Sequence, residues 1–217
     1  MAFYKKIKGE DTLDTRALIL ETATKLFAEQ GFEAVSTRLI AKESGANIAL
    51  ISYYFGSKEK LFEAIIETKI PSMRAHLEAL LQDAALDSWA KIYTLLDIYI
   101  DRVFYQRSFN RIIIREMSLL QRPEHANLIV QQIMNNWHVI FAIFEEGQQR
   151  GTFRVDVDMQ LTWVSTLGTL FQIVNNSPMA CAMVGAENDE ELFSDAYIDR
   201  VRQHLRSMLV SHLTIHK

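Results

Sequence analysis

Residues 36–60 restrict the possible folds of this chain more than any other stretch; they read STRLIAKESGANIALISYYFGSKEK. Ser36 and Asn47 are residue types that cap the N-termini of helices, and each precedes a short helix-forming run. Gly45 lies between the two runs, where a glycine permits a tight turn. Ser57 can cap a further helix. The pattern predicts two short helices joined by a sharp turn and followed at once by another helix.

The composition of the whole chain also favours helices. Its 217 residues include 8 glycines and 3 prolines, which is few for a protein built from many turns. Hydrophobic residues make up 49% and charged residues 23%, as is ordinary for a globular protein. No segment shows the alternation of a β-strand. We therefore expect an all-α protein of about nine helices, in which an N-terminal three-helix domain (1–56) precedes a C-terminal helical bundle (57–217).

Apolar periodicity and capping residues place the remaining helices. The first helix is expected to begin at Asp14 or Thr15 and to run to about Gln30, with Gly31 as its C-terminal cap. Pro71 should kink or break the helix that follows residues 36–60. Later helices are expected at about 88–106, 109–120, 124–149, 158–175 and 189–213, with a loop around 185–189.

The sequence also argues against several classes of protein. Cys181 is the single cysteine, so an internal disulfide is excluded, and no HExxH or CxxC pattern suggests a metal or a cofactor. The N-terminus carries charges where a signal peptide needs an apolar segment, and no apolar run reaches the length of about 18 residues that would cross a membrane. No nucleophile or phosphate-binding motif is recognisable. We expect a cytoplasmic protein that is neither an enzyme nor associated with a membrane.

Two short helices joined by a tight turn are typical of a helix-turn-helix, which sets its second helix into the major groove of DNA. Thr37 and Arg38 lie at the start of the first helix, where free backbone N–H groups attract a phosphate. An arginine can also reach a guanine edge. A plain helical hairpin has a glycine turn too, so the flanking residues decide the interpretation. The residues expected at DNA are Ser36, Thr37, Arg38, Asn47, Ala49, Ser52, Tyr53, Tyr54 and Lys58.

The charge distribution is compatible with this interpretation. The net charge of −4 does not suggest a nucleic-acid binder. However, residues 1–60 carry 9 Lys and Arg against 8 Asp and Glu, whereas the remainder carries 14 against 19. The relatively basic end of the chain is therefore the end that holds the motif, which is the direction expected for DNA binding.

The segment from Arg16 to Leu61 resembles the DNA-binding domain of the tetracycline-repressor (TetR) family of bacterial regulators. Family-typical residues recur across three helices and two turns: Arg16, Ile19, Leu20, Ala23, Leu26, Phe27, Gly31, Phe32, Ser36, Thr37, Ile40, Ala41, Gly45, Tyr54, Phe55, Ser57, Lys58, Glu59 and Leu61. A second patch, from Gly147 to Asp158, resembles the junction before the family's eighth helix. The resemblance implies a ligand-responsive repressor that binds a palindromic operator in double-stranded DNA.

The same resemblance assigns roles within the motif. By carry-over, Thr37, Tyr54 and Lys58 match positions that contact phosphate, and Arg38, Asn47 and Ala49 match positions that meet bases. Ser52 departs from the family pattern because a phosphate-contacting tyrosine is usual there. That departure leaves room for an altered operator preference.

The C-terminal part is rich in large side chains, and in this family the equivalent region encloses a small-molecule pocket. As a group these residues make an apolar or amphipathic effector plausible, although any helical core needs such residues. Arg115 and Glu116 could place a charge in that pocket or form an ion pair on a helix face. The residues assigned to the pocket are Tyr99, Tyr105, Met117, Trp137, Phe141, Trp163 and Phe171.

The last two predicted helices carry wide apolar faces that one chain has limited surface to cover. A two-fold four-helix interface between two copies accounts for both faces, and the resemblance implies the same arrangement. A homodimer would also read a pseudo-palindrome. The interface residues are predicted to be Leu161, Val164, Leu167 and Phe171 on one helix and Ile198, Val201, Leu205 and Met208 on the other.

Two other functions stay open at this point. One is a helical enzyme that uses the aromatic cavity as its active site, although no catalytic motif supports it. The other is a helical protein that binds a small molecule or a protein and has lost DNA binding, and Ser52 is the residue that gives it room.

Overall fold

The computed structural model describes residues 10–119 and 122–215, and within them the chain forms twelve helices and no strand, as the all-α prediction requires. The helices are α1 (Glu10–Gln30), α2 (Thr37–Ser44), α3 (Ile48–Phe55), α4 (Lys58–Lys69), α5 (Pro71–Gln82), α6 (Ser88–Tyr105), α7 (Arg107–Leu119), α8 (Pro123–Gln149), α9 (Met159–Asn175), α10 (Ser177–Val184), α11 (Asp189–Leu192) and α12 (Asp195–Leu213).

The prediction of about nine helices was too low. Pro71 opens a separate helix, because a proline at the first helical position gives up no hydrogen bond. α10 begins in the same way, with Pro178 near its start, inside a stretch for which no helix was predicted. Ser194 caps α12, so the last long helix begins six residues later than the predicted residue 189. α1 begins at Glu10, about one turn before the predicted start.

The chain divides into two compact units, and the first of them is discontinuous in sequence. Its described residues are 10–71, 108–119 and 122–132. Buried side chains from α1 to α4 and from the connection between α1 and α2 form its core, and residues of α7 and the start of α8 complete it. The buried set is Ile19, Ala23, Phe27, Phe32, Val35, Ile40, Ile51, Leu61, Phe62, Ile65, Ile66, Phe109, Ile112 and Ile129.

This division does not fall at the predicted boundary between residues 56 and 57. The reason is that α4 buries Leu61, Phe62, Ile65 and Ile66 in the same core as α1. α4 therefore belongs to the first unit by packing.

The second unit contains the described residues 72–107 and 133–215. Its core is formed by α6, the later part of α8, α9 and α12, and its fully buried members include Ile100, Phe144, Trp163, Leu170 and Leu205. Inside this core Lys91 is 2% exposed, and its Nζ donates to Glu146 Oε2 at 2.8 Å and to the Leu81 carbonyl at 2.7 Å. This buried ion pair joins α5, α6 and α8.

Candidate nucleic-acid interface

Side-chain caps fix the two short helices α2 and α3. Ser36 Oγ accepts from the backbone N–H of Leu39 at 3.1 Å, and Asn47 Oδ1 accepts from that of Ala49 at 2.9 Å. Between the helices, Gly45 has φ +67°, a left-handed conformation that favours glycine. The backbone N–H of Ala46 then donates to the Ala41 carbonyl at 3.1 Å. The residues that make these contacts, Ser36, Gly45 and Asn47, are those from which the helix-turn-helix was predicted.

The inner sides of the two helices pack into the core of the first unit. Ile40 and Ala41 of α2 are buried, and so are Ile51 and Phe55 of α3. Ser44 is also buried, and its hydroxyl donates to the Ala41 carbonyl at 3.3 Å. The polar serine at this position therefore leaves the packing intact.

The opposite side of α3 faces solvent. Asn47, Ala49 and Ser52 are exposed, and Tyr53 is 81% exposed. Tyr54 is half-buried, and its ring meets that of Tyr53 edge to face at 5.3 Å between centroids. The four exposed residues lie on the part of the motif that is expected to enter a groove. Their contact with DNA remains a prediction.

The start of α2 is open to solvent as well. Ser36 and Arg38 are exposed and Thr37 is half-buried. The first backbone N–H groups of a helix have no carbonyl partners within the helix, and they carry the positive end of its dipole. This end of α2 therefore suits a phosphate group.

The side chain of Lys58 does not simply extend into solvent, as expected for a lysine that only contacts phosphate. Its Nζ donates to the carbonyls of Phe32 at 3.0 Å and Val35 at 3.1 Å, and it lies 4.2 Å from the centroid of the Phe32 ring. A lysine has three donors, so two of them are already used inside the protein. Lys58 thus ties α4 to the segment between α1 and α2, and the third donor is left for the predicted contact.

A charged cluster from α7 and α8 meets the same segment. Glu116 is 5% exposed; its Oε1 accepts from Arg122 Nη2 at 3.1 Å and its Oε2 lies 2.9 Å from His125 Nδ1. Arg122 also pairs with Glu33. Arg115 lies against Gly31, where a Cβ atom would be 2.5 Å from the guanidinium carbon. Of the two roles considered for Glu116, the ion pair is the one observed.

Burial and charge act in opposite directions on Glu116. Burial raises the pKa of its carboxyl, but hydrogen bonds from Arg122 and His125 and the charges of both side chains lower it more. The net result is a pKa below the ordinary value of 4.5. The carboxylate is therefore charged at neutral pH and holds its two neighbours in place.

The predicted pocket residues are divided between the two units. Met117 packs at the edge of the first unit's core, whereas the other six belong to the second unit. Tyr105 is 65% exposed, and its hydroxyl donates to Asp195 Oδ1 at 3.0 Å. The assignment of Met117 and Tyr105 to the pocket stays a prediction.

The remaining pocket candidates include two ring pairs in the second unit. Tyr99 meets Trp163 edge to face at 4.9 Å between centroids, and Trp137 lies 5.0 Å from Phe141. Burial raises the pKa of the Tyr99 hydroxyl. Phe171 is half-buried beside the same core. These five residues keep their assignment to the pocket as a prediction.

The predicted interface helices differ in what they expose. On α9, Leu161 is 64% exposed and Val164 is 51% exposed. On α12, however, Ile198 and Leu205 are 2% and 0% exposed within their own unit, and Val201 is 6% exposed. For Ile198 and Leu205 the assignment to a surface between copies is therefore corrected, because they face the chain's own core. Val201 packs in the same core but also lines a cleft along α9, α10 and α12, so its assignment stays a prediction. Leu167, Phe171 and Met208 are half-buried.

Two further observations concern the residues that the structure describes. They include no helix long and apolar enough to cross a bilayer. They also contain no group of three or more His, Cys, Asp or Glu side chains that could hold a metal ion.

A helical unit that presents one exposed, capped helix beside an open helix N-terminus belongs to the class of DNA-binding proteins with a helix-turn-helix. Residues 19–65 match the family model described as bacterial regulatory proteins of the tetR family, and residues 67–184 match that of the YsiA-like protein C-terminal region. The chain belongs to the TetR family. It is a DNA-binding transcriptional regulator, from a family whose members are not enzymes.

Named relatives agree with this assignment. The chain is 28% identical over 146 residues to the probable HTH-type transcriptional regulator YttP of Bacillus subtilis, covering 64% of this chain and 67% of YttP. It is 29% identical over 154 residues to the HTH-type transcriptional repressor NicS of Pseudomonas putida, covering 70% and 71%. The fold is similar to that of the regulator FadR of B. subtilis in complex with stearoyl-CoA, with a TM-score of 0.65, 20% identity and coverage of 88% and 97%.

Proposed function

We propose that the protein represses transcription as a homodimer that binds a palindromic operator and is released when an amphipathic small molecule binds its second unit. The observation that carries the DNA-binding part is the exposed outer face of α3, with Tyr53 81% exposed, next to the open N-terminus of α2. A regulator of this kind works on chromosomal DNA, so a cytoplasmic location belongs to the same proposal.

The expected contacts divide between backbone and bases. Thr37, Tyr53 and Tyr54 carry hydroxyls that suit phosphate oxygens, and such contacts position the protein without reading sequence. Arg38 is the long cation at the open end of α2 and is the best candidate for a guanine edge. Asn47 already uses its Oδ1 as a helix cap, so its side-chain N–H₂ group is left for a base or a phosphate.

Exposed apolar residues on α9 support a dimer. Leu161 and Val164 are more than half exposed, and a cleft of about 580 Å³ lies along α9, α10 and α12 beside the 73% exposed Met183. Exposed apolar surface marks an interaction site in many proteins. A second copy related by a two-fold axis would cover it and would also supply the second recognition helix.

The effector is proposed to be amphipathic for two reasons. First, the core of the second unit is rich in aromatic side chains. Second, Trp163 is fully buried while its Nε1 has no acceptor among the described residues. An unpaired buried donor costs about 1–3 kcal/mol, which a ligand carbonyl or carboxylate would recover. The FadR of B. subtilis binds stearoyl-CoA, a molecule with both an apolar chain and such acceptors.

Release would follow from a shift between two forms of the dimer. Binding of successive half-sites requires the two recognition helices to lie about 34 Å apart. An effector that binds better to a form with another spacing would move the population toward that form and so weaken the operator complex.

DNA binding can be tested by selecting an operator from random duplexes and measuring its affinity by fluorescence anisotropy at several salt concentrations. Arg38→Ala should weaken binding to the selected operator by about 1–3 kcal/mol, because a specific contact is lost. Arg74→Ala, in an exposed ion pair of the second unit, is the matched control and should leave affinity unchanged. Failure to select any sequence, or affinity that does not fall with salt, would favour a protein that has lost DNA binding.

The effector can be tested with stearoyl-CoA and choline as probes of opposite chemistry. We expect stearoyl-CoA, and not choline, to raise the melting temperature and to release the operator. Trp163→Phe keeps an aromatic side chain, although a smaller one, and removes the N–H donor. It should weaken stearoyl-CoA binding, whereas Trp89→Phe, which makes the same change of size elsewhere in the second unit, should not. An equal loss for both variants would remove Trp163 from the proposed site.

A further inference from the structure

The segment between α1 and α2, residues 31–36, is called here the Phe32 turn. It leads directly into Thr37 and Arg38, which the proposed function places at DNA. Phe32 itself is 5% exposed, and its carbonyl accepts from Lys58. The position of this turn therefore decides where the N-terminus of α2 lies.

Residues from α4, from α8 and from the junction between α7 and α8 surround the Phe32 ring. Lys58 Nζ lies 4.2 Å and Arg122 Cζ 4.6 Å from the ring centroid. The rings of Phe62 and His125 meet it at interplanar angles of 85° and 83°, with centroids 5.5 Å and 4.9 Å away. His125 and Phe62 in turn stack on each other at 4.1 Å. The ring is thus held by aromatic and cationic groups at once.

Of the residues around the Phe32 ring, Arg122 and His125 are oriented by Glu116. It accepts from Nε and Nη2 of Arg122 at 3.2 Å and 3.1 Å and lies 2.9 Å from His125 Nδ1. A two-point contact of this kind fixes the plane of a guanidinium as well as its position. Without the carboxylate, Arg122 would keep Glu33 alone, whose side chain is 73% exposed.

We propose that Glu116 is a positioning residue for operator binding: through Arg122 and His125 it sets the Phe32 turn and hence the DNA-contacting start of α2. The inference rests on the proposed DNA binding and adds residues that touch no DNA. His125 lies in the first turn of α8, which runs unbroken to Gln149, so a movement of that helix would reach the turn through the same contact.

The test compares the full-length protein with Glu116→Gln, which keeps the size of the side chain but removes its charge. Binding to the selected operator should fall roughly tenfold, within the 5- to 150-fold span usual for coupling between sites. Binding to random DNA should change by less than about twofold, because the cations that attract phosphates are untouched. Glu78→Gln, which breaks an exposed pair with Arg74, is the control and should alter neither affinity.

Amide hydrogen exchange distinguishes a positioning role of Glu116 from a role in stability alone. Operator binding to the wild-type protein should slow amide exchange in the Phe32 turn and also in residues 133–149 of α8, since coupling between sites is reciprocal. In Glu116→Gln, the protection of residues 133–149 should be lost while that of α3 remains.

Two results would overturn the inference: wild-type operator affinity in Glu116→Gln, or unchanged protection of residues 133–149 in that variant. If Glu116→Gln fails to fold, Arg122→Lys carries the test. It keeps the charge but loses the two-point contact, and the same loss of operator affinity is expected. Failure to select any operator would instead overturn the proposed function, and the inference with it.

Discussion

The two units use buried charge differently. In the first unit, Glu116, Arg122 and His125 converge on a turn that leads to the DNA-binding surface. In the second unit, charged pairs join long helices side by side: the buried Lys91 pairs with Glu146, and the half-buried Asp97 pairs with Arg202 at 3.1 Å. The comparison teaches that charged groups in the first unit converge on one turn, whereas in the second unit they link helices in pairs.

The distribution of tryptophan allows the two units to be followed separately. All three tryptophans, Trp89, Trp137 and Trp163, lie in the second unit. Tryptophan fluorescence therefore reports on the second unit, while far-ultraviolet circular dichroism reports on the helices of both. Each prediction below uses this difference, from the largest expected effect to the smallest.

The largest effect is expected from Phe62→Ala. Phe62 is fully buried and contacts the rings of Phe27, Phe32 and His125, so its removal leaves a cavity in the first core. We expect a loss of about 3–5 kcal/mol in the free energy of unfolding, measured by urea titration with circular dichroism.

Fluorescence in the same titration tests whether the units unfold separately. If they do, the fluorescence midpoint stays in place while the dichroism transition splits. Tyr53→Ala, at an exposed ring, should stay within about 0.5 kcal/mol of the wild type. A Phe62→Ala protein as stable as that control would contradict the packing described for the first core.

A smaller effect is expected from Lys91→Met in the second unit. The change strands Glu146 and the Leu81 carbonyl, but Glu146 is 20% exposed and keeps Arg150, so we expect a loss of about 2–3 kcal/mol by fluorescence-monitored urea unfolding. Replacing both charges, as in Lys91→Met with Glu146→Leu, should restore most of the stability. A double variant less stable than the single one would contradict this account, because it would show that Lys91→Met does not leave Glu146 uncompensated.

The smallest effect is the pH dependence of the first unit. The pKa of Glu116 is lowered in the folded protein, because Arg122 and His125 lower it more than burial raises it. The charged or titratable groups nearby are Arg122, His125 and Glu33. The unfolded chain therefore binds more protons near pH 4.5, so this contribution to stability is present above that value and is lost as pH falls through the folded pKa.

The measurement is the urea midpoint by circular dichroism between about pH 3 and 6. Glu116→Gln should flatten the slope of stability against pH, whereas Glu78→Gln should keep it, because an exposed pair adds little. Equal slopes in the wild type and Glu116→Gln would show that Arg122 and His125 do not stabilise the charged form of Glu116.

Local signals made the motif predictable from sequence. Ser36, Gly45 and Asn47 act on residues two to four positions away, so a linear pattern contains them. For the same reason the all-α class and the bounds of α2 and α3 agree closely with the structure.

Contacts between distant segments were not predictable in that way. Glu116 and Arg122 are six positions apart across the end of α7, and Arg122 meets Glu33 from a helix connection 89 positions earlier. No spacing rule connects such residues. Periodicity on α12 likewise indicated that Ile198 and Leu205 are buried, but it could not say whether a second copy or the chain's own core covers them.

Because the first unit is discontinuous in sequence, a single cut in the chain cannot separate it from the second unit. A fragment that stops at residue 71 would lack Phe109, Ile112 and Ile129, and would expose the apolar sides of α1 and α4 that they cover. Chimaeras that exchange operator specificity between regulators should therefore carry residues 108–132 along with the amino-terminal helices. Evolution faces the same constraint, since recombination at a single point cannot exchange this DNA-binding head intact.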